Sequence, residues 1–300
     1  MKFKKIFIKR YFRISDGANR LIKAEIDKKK LSRTQISSLA GVSRSYVDHF
    51  IRNDRNFRED QLERILPLFN VVLPSKGFSS INTTQGKFIN LPSKSSPELM
   101  QILGYFLGDG TAQPKTVRFK DVDKNVLMLY CRMIKIVFNI MGRVVPQSET
   151  KAYLLEVNSV YLSKWLRENV VLIKKEFLKK VNKLSRKELS AFLRGLFDAE
   201  GFVAIQSRQI RLGITNEEIG KSLPVFFSKL GIRHSFYKIK RREINWKDIY
   251  LISLDSYEAF EKFYKFIGFS SEGKNRKLKF LILRKSKRKV YQHNSNLCVA

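Results

Sequence analysis

The hydrophobic positions divide the chain into three regions. Over residues 1–70 they recur three and four apart in short runs, which predicts several short helices, two of them near Gly17–Lys29 and Glu59–Phe69. Residues 71–96 (VVLPSKGFSSINTTQGKFINLPSKSS) are dominated by Ser, Thr, Asn, Gly and Pro and read as a linker, with room for one strand at Lys87–Leu91. From Ser96 the periodicity resumes. Ser96 suits a helix N-cap, Pro97 a first helical position, and Glu98 the positive end of the dipole.

The remainder repeats itself. ILGYFLGDG at 102–110 and LRGLFDAEG at 193–201 are offset by 91 positions and pair Gly104 with Gly195, Phe106 with Phe197, Gly108 with Ala199, Asp109 with Glu200 and Gly110 with Gly201. Each is followed by an alternating basic strand (116–120; 209–213) and an apolar helix ending near a glycine (126–141; 219–230). A hairpin of alternating residues (144–157; 234–254) and an aromatic helix (161–168; 257–266) complete each copy. A chance nine-residue match would not carry agreement over some ninety residues. The predicted fold class is α+β: a pseudo-two-fold duplicated αββαββα core preceded by a small all-α domain. The expected domains are 1–70, a linker 71–96, repeat one 97–184, repeat two 185–285 and a basic tail 286–300.

Charge narrows the partner. Fifty-nine Lys and Arg against 27 Asp and Glu give +32, a self-repelling balance that a polyanion offsets. No window holds eighteen uncharged apolar residues, so no transmembrane helix is expected. The basic start is interrupted at Lys9 and Arg10 and fails as a signal peptide. Two cysteines and three scattered histidines disfavour a disulfide framework, a zinc site and histidine-based hydrolysis; they fit a reducing, intracellular compartment. Nucleic acid leads, and an anionic membrane surface is a distant second.

The small residues four apart in each motif place a stripe on one helix face, as in close helix pairs. If the stripes meet, Asp109 and Glu200 arrive together at the same end. Carboxylates at helix C-termini oppose the macrodipole, and two of them repel. Divalent cations with oxygen ligands relieve both penalties, and paired metals beside a basic surface suit displacement at phosphodiesters. The plainer reading makes Gly110 and Gly201 C-cap glycines after exposed acids; two copies at matching places favour the catalytic one.

These two segments resemble the signature helix of LAGLIDADG homing endonucleases in their two-copy, single-chain form, over roughly residues 97–285. The resemblance implies site-specific double-strand DNA cleavage with Mg²⁺ or Mn²⁺ (two or more ions shared by the carboxylates) by a monomer. The signature helices would form the interface, with two saddle-shaped sheets in the major groove. It assigns metal binding to Asp109 and Glu200, with the carbonyls of Gly108 and Ala199. It implies a basic residue near each metal-bound water, Lys274 in the second half and Lys175, with Lys174 as alternative, in the first. It makes Lys115, Arg118, Lys120, Gln206, Arg208, Arg211, Lys238, Lys240, Arg241 and Arg242 the candidate DNA-reading surface, Arg and Gln for base edges and lysines more often for phosphate.

In the N-terminal region Ile36, Ala40, Val42, Val47 and Phe50 fit the buried positions of a helix-turn-helix. Ser37 sits at the crossing, Gly41 at the turn and Ser43 at the second N-cap. The stretch resembles the phage-repressor type, which leaves Arg44, Ser45, Tyr46, His49 and Arg52 exposed for a major groove. Such a module adds affinity through its tether. Three alternatives stand beside the endonuclease. The first is a non-cutting DNA-binding regulator on the same scaffold, against which both acids speak. The second is an RNA-binding intron maturase, less suited because the deep major groove of RNA excludes a helix. The third is an intein, for which Val290–Ser295 has a faint similarity to a splice junction. Against it stand the missing Cys or Ser nucleophile at the start and the helices where splicing strands belong.

Overall fold

A computed structural model describes residues 1–4, 11–71, 78–81, 89–148, 150–241 and 247–297. The chain divides into two compact units, Phe7–Asn90 and a larger one made of Met1–Ile6 with Leu91–Ala300.

The smaller unit runs β1 (Tyr11–Ile14), α1 (Asp16–Lys29), α2 (Arg33–Ala40), α3 (Arg44–Arg52), β2 (Phe57–Arg58), α4 (Glu59–Ile65), a 3₁₀ turn Leu66–Phe69 and β3 (Phe78–Ile81). Serines start its first three helices: Ser15 accepts from Ala18 N at 3.2 Å, Ser32 and Gln35 form a reciprocal capping box, and Ser43 accepts from Tyr46 N at 3.2 Å. Gly41 closes α2 at φ +59°, a left-handed conformation that favours glycine. The unit is more than the helices expected of it. β1 lies between β2 and β3 in an antiparallel three-stranded sheet. Phe12 and Ile14 of β1 enter the core beside Ile36, Val47, Phe50 and Phe69. β3 falls inside the stretch that reads as a linker, because FSSI offers no apolar alternation. Residues 89–91 of the expected strand Lys87–Leu91 are irregular, and 87–88 lie outside the described residues.

In the larger unit the first copy is α5 (Pro97–Asp109), β4 (Gly110–Ala112), β5 (Thr116–Asp121), α6 (Lys124–Phe138), β6 (Arg143–Pro146), β7 (Tyr153–Asn158) and α7 (Val160–Leu166). A π-helical turn, Arg167–Val171, and α8 (Lys174–Val181) lead to the second. That copy is α9 (Arg186–Glu200), β8 (Gly201–Ala204), β9 (Gln209–Ile214), α10 (Glu217–Lys229), β10 (Ser235–Ile239), β11 (Ile249–Leu254) and α11 (Tyr257–Phe266), followed by α12 (Glu272–Leu297). The sheets have the same topology, β4-β5-β7-β6 and β8-β9-β11-β10, antiparallel throughout. The duplicated α+β core is therefore present element for element. α12 continues as helix into the expected basic tail, through Leu297.

Alternation sorts each sheet. Val117, Phe119, Leu155 and Val157 face the core in one and Ile210, Leu212, Ile252 and Leu254 in the other, leaving the opposite faces to solvent. α5 and α9 lie at the centre and are buried nearly all round, Leu99–Phe106 on one and Leu189–Leu193 on the other. The first four residues also belong here. Phe3 N donates to Ser93 O at 2.9 Å and Ser95 N to Met1 O at 3.0 Å, while Asn169 holds Lys4 by accepting from its N at 2.6 Å and donating to its O at 3.3 Å. The smaller unit is thus inserted between two adjacent segments of the larger one, where the sequence suggests an appended domain.

Candidate active site and nucleic-acid interface

The site begins with the small residues of α5 and α9. A Cβ on Gly104 would collide with the carbonyl oxygen of Phe192, and one on Gly195 with that of Gln101 and, at 2.7 Å, with Tyr105 N. One turn further, a Cβ on Gly108 would stand 2.6 Å from the Ala199 Cβ and 3.1 Å from the Glu200 Cγ. The two helices therefore touch backbone to backbone, and their last turns meet at Gly108 and Ala199. Gly110 and Gly201 then leave the helices in extended conformation, φ −91° and −83°, rather than as left-handed caps. Their need for glycine is space: a side chain would strike the Phe106 or Phe197 backbone as the chain turns back into β4 or β8.

This packing brings Asp109 and Glu200 within electrostatic reach. Partial burial raises both carboxyls above the usual carboxylate range; Asp121 raises Asp109 further, and Asp109 raises Glu200 further. Lys274, from the start of α12, opposes the rise at both acids, and Lys120 on β5 opposes it at Asp109. The Lys274 ammonium donates to Phe197 O at 3.2 Å and Asp198 O at 2.7 Å, occupying carbonyls at the end of α9. Burial pushes its pKa down while Asp198, Asp121, Asp109 and Glu200 push it up.

Lys175 does not join this group. It lines a groove with Glu217, Glu218 and Lys221 between α8 and α10, and neither it nor Lys174 is among the charges that act on Asp109 or Glu200. Among the described residues no three His, Cys, Asp or Glu side chains gather as a metal-holding group. The donors on offer are the two carboxylates, which suit a hard divalent cation that completes its shell with water and phosphate oxygens.

Sequence reading missed the support beneath the acids. Asp198 is buried, accepting from Ser270 N and Ser270 Oγ at 2.6 Å each and from the Tyr130 hydroxyl at 2.7 Å. The Gln101 amide donates to Ser270 Oγ at 2.9 Å, and more distantly to Asp198 at 3.4 Å. Burial raises the Asp198 carboxyl although those hydrogen bonds pull the other way. Asp198 stands where the first copy has Leu107, and that break in the repeat was the available signal. Arg194, four residues before it, donates from its guanidinium to Ile267 O instead of pairing with Asp198.

The bases divide between partners and open surface. Lys115 and Gln206 are exposed in the β4–β5 and β8–β9 turns, where Arg208 also lies at φ +54°. Arg118 and Arg143 share Glu156, at 3.0 Å each. Arg211 Nε donates to Gln209 at 2.6 Å. Lys238 is directed away from Arg211: register puts it on the Tyr250 face of the sheet, where it meets Asp248 at 3.0 Å and lies 5.7 Å from the Tyr250 ring centre. Lys238, Lys240 and Arg241 all act on Asp248, holding its carboxyl below the usual range. Arg242 lies outside the described residues.

In α3, Arg44, Ser45 and Arg52 are exposed, while His49 is half-buried with its Nδ1 2.7 Å from Asp54. Tyr46 is a correction. It is buried, packed edge-on against Phe57 at 5.7 Å with Arg55 over its ring, because β2 covers the side of α3 that helix-to-helix spacing alone leaves open.

Residues 187–268 match the LAGLIDADG-like domain. The matched segment runs from the first turn of α9 to the glycine after α11 and so holds Glu200 and the whole second sheet. The chain is 31% identical over 292 residues to glutamine–fructose-6-phosphate aminotransferase (isomerizing) of Methanocaldococcus jannaschii, spanning 94% of this chain and about a quarter (26%) of that protein. Among solved structures, the homing endonuclease I-DmoI in complex with DNA and Mn is 18% identical, with TM-score 0.43 over 59% of this chain and 98% of that one. Full-length DUF199/WhiA from Thermatoga maritima is 14% identical, with TM-score 0.45 over 70% and 69%. No described helix is long and apolar enough to cross a membrane.

Proposed function

We propose that this chain is a site-specific DNA endonuclease that hydrolyses phosphodiesters on both strands of a duplex with Mg²⁺ or Mn²⁺. The observation that carries the reading is the pair Asp109 and Glu200, brought together at the ends of two helices whose backbones touch. Such a pair destabilises the apo protein, as the raised carboxyl pKa values reflect, and features that cost stability mark functional sites. The two carboxylates would hold the cation with the Gly108 and Ala199 carbonyls. The cation, when bound, supplies Lewis-acid stabilisation and an activated water. Lys274 keeps positive charge beside both acids and, being partly desolvated, is suited to hold or pass a proton. Lys120 takes the role beside Asp109 that the resemblance assigned to Lys175.

Duplex binding draws on the solvent faces of the two sheets, with Arg118, Lys120 and Arg211 toward bases or phosphates. The smaller unit serves as a second, helix-turn-helix module with Arg44, Ser45 and Arg52 toward a groove. A chain of net charge +32 would bind with strong dependence on salt.

The test is incubation with a randomised duplex library and with DNA surrounding the gene, in Mg²⁺ and in EDTA. Metal-dependent cutting is expected. Asp109→Asn and Glu200→Gln should each reduce it by at least about a hundredfold, the scale of losing one electrostatic contributor to a phosphoryl transition state, and leave duplex affinity within about threefold. Sequence-selective binding with no cutting under any divalent ion would replace this reading with a non-cutting regulator.

A further inference from the structure

The two solvent faces are built on one pattern of registered positions but differ in chemistry at most of them. In the first sheet Thr111, Arg118, Glu156 and Arg143 form one cross-strand row, and Lys120, Leu154 and Val145 the next. The matching rows of the second sheet are Phe202, Arg211, Ser253 and Ser235, and Gly213, Leu251 and Tyr237. Position by position, Thr111 becomes Phe202, Glu156 becomes Ser253, Arg143 becomes Ser235, Lys120 becomes Gly213 and Val145 becomes Tyr237, while the central arginine (Arg118, Arg211) and the leucine of the next row (Leu154, Leu251) are kept. Phe202, Tyr237 and Ile239 are 45%, 53% and 43% exposed, which for large apolar side chains on one sheet face calls for a partner. The Ser253 hydroxyl, buried at the Arg211 register position, has no hydrogen-bond partner among the described residues.

We infer that the second sheet reads a thymine-rich half-site through the C5-methyl groups, around one base contacted by Arg211, whereas the first sheet reads a half-site of mixed sequence by hydrogen bonding. This rests on the DNA-cleaving function proposed above and names what one half of that interface takes. Thymine is the base that offers an apolar group in the major groove, and aromatic and aliphatic side chains pair with it there. Several features commit the face to nucleic acid over an apolar protein surface. Arg211 stands at its centre, and Gln206 and Arg208 in the adjoining turn. β8 carries Phe202 two residues after Glu200, so the apolar face is continuous with the paired acids.

The experiment selects bound duplexes from a randomised library with the full chain in EDTA. It then measures affinity by fluorescence anisotropy after replacing thymine by uracil in one half-site at a time, which removes only the methyl groups. Loss of about fourfold per methyl, the value of one buried methylene, is expected in one half-site and not in the other. Phe202→Thr with Tyr237→Val, the residues of the first sheet, should abolish that uracil sensitivity while the chain still binds and stays folded by circular dichroism. Equal sensitivity of both halves, or none in either, overturns the inference and leaves the DNA reading standing. So does a double variant with unchanged selectivity, which would hand the apolar face to a protein partner. Failure to select any duplex sequence overturns the underlying function instead.

Discussion

Asp198 puts a carboxylate into the interior of the larger unit, 2% exposed, at a position where the first copy has leucine. Its neighbours explain why the interior accepts it. The Ser270 backbone and hydroxyl and the Tyr130 hydroxyl all donate to it, and Ser270 and Ser271 lead directly into the turn that presents Lys274. The residue thus joins α9 and α6, one from each copy, to the segment that places a cation beside the paired acids. Replacement by the first copy's residue would leave three donors with fewer acceptors in a dry environment, at about 1–3 kcal/mol for each one left unpaired. Asp198→Leu is expected to cost at least about 3 kcal/mol in urea denaturation, seen as a lower midpoint at unchanged slope. Asp198→Asn, which keeps one acceptor oxygen, should cost about 1 kcal/mol. Equal midpoints for Leu and Asn would mean that the donors find water or one another.

Among the elements, the helix pair α5 and α9 was the most legible from sequence, because small residues four apart have few uses on a helix other than close approach. The chain's glycines do not all carry that meaning, and the contrast can be measured. Gly195→Ala drives a methyl into the backbone of the opposite helix and is expected to cost about 3 kcal/mol, the upper range for overpacking a tight core. Gly17→Ala, in the first turn of α1 with nothing within 4 Å, should be neutral or stabilise by up to about 1 kcal/mol. Thermal unfolding of both variants decides it, and equal shifts would deny the backbone contact. Less legible were features set by which element covers another. The period of α3 does not reveal that Phe57 closes over Tyr46. Alternation along β10 shows that Lys238 and Tyr237 face opposite ways, but only the register with β11 says which way is out. The Lys175 assignment came from a motif position, whereas proximity to Asp109 depends on where α8 packs, and it packs against α10.

For the whole molecule, the repeat and the charge gave the architecture of the larger unit and the class of partner, but not how the smaller unit is attached. Composition marks residues 71–96 as a boundary and has nothing to say about the other crossing, since four ordinary residues at the start carry no pattern. The structure makes those four part of the larger core. Phe3 is buried with its ring 4.9 Å from that of Trp165, and Asn169, itself buried, takes both backbone groups of Lys4 as partners. Two ways of removing the smaller unit should therefore differ. Deleting residues 1–90 exposes Trp165 and strips Asn169 of both its Lys4 partners, leaving only its bond to Trp165 O, whereas replacing 5–90 by a short Gly-Ser turn keeps Met1–Lys4 in place beside Ser93 and Ser95. The clean deletion is expected to be less stable by about 2–4 kcal/mol, from about 2 kcal/mol for the lost Phe3 burial and about 1 kcal/mol or more for the unpaired amide oxygen. Urea denaturation of the two proteins side by side measures it. If they unfold at the same midpoint, the first four residues are passengers and the smaller unit is appended after all. If they differ as expected, the Gly-Ser form is the one in which to measure what the smaller unit adds to duplex affinity, because its sheets and paired acids rest on an intact core.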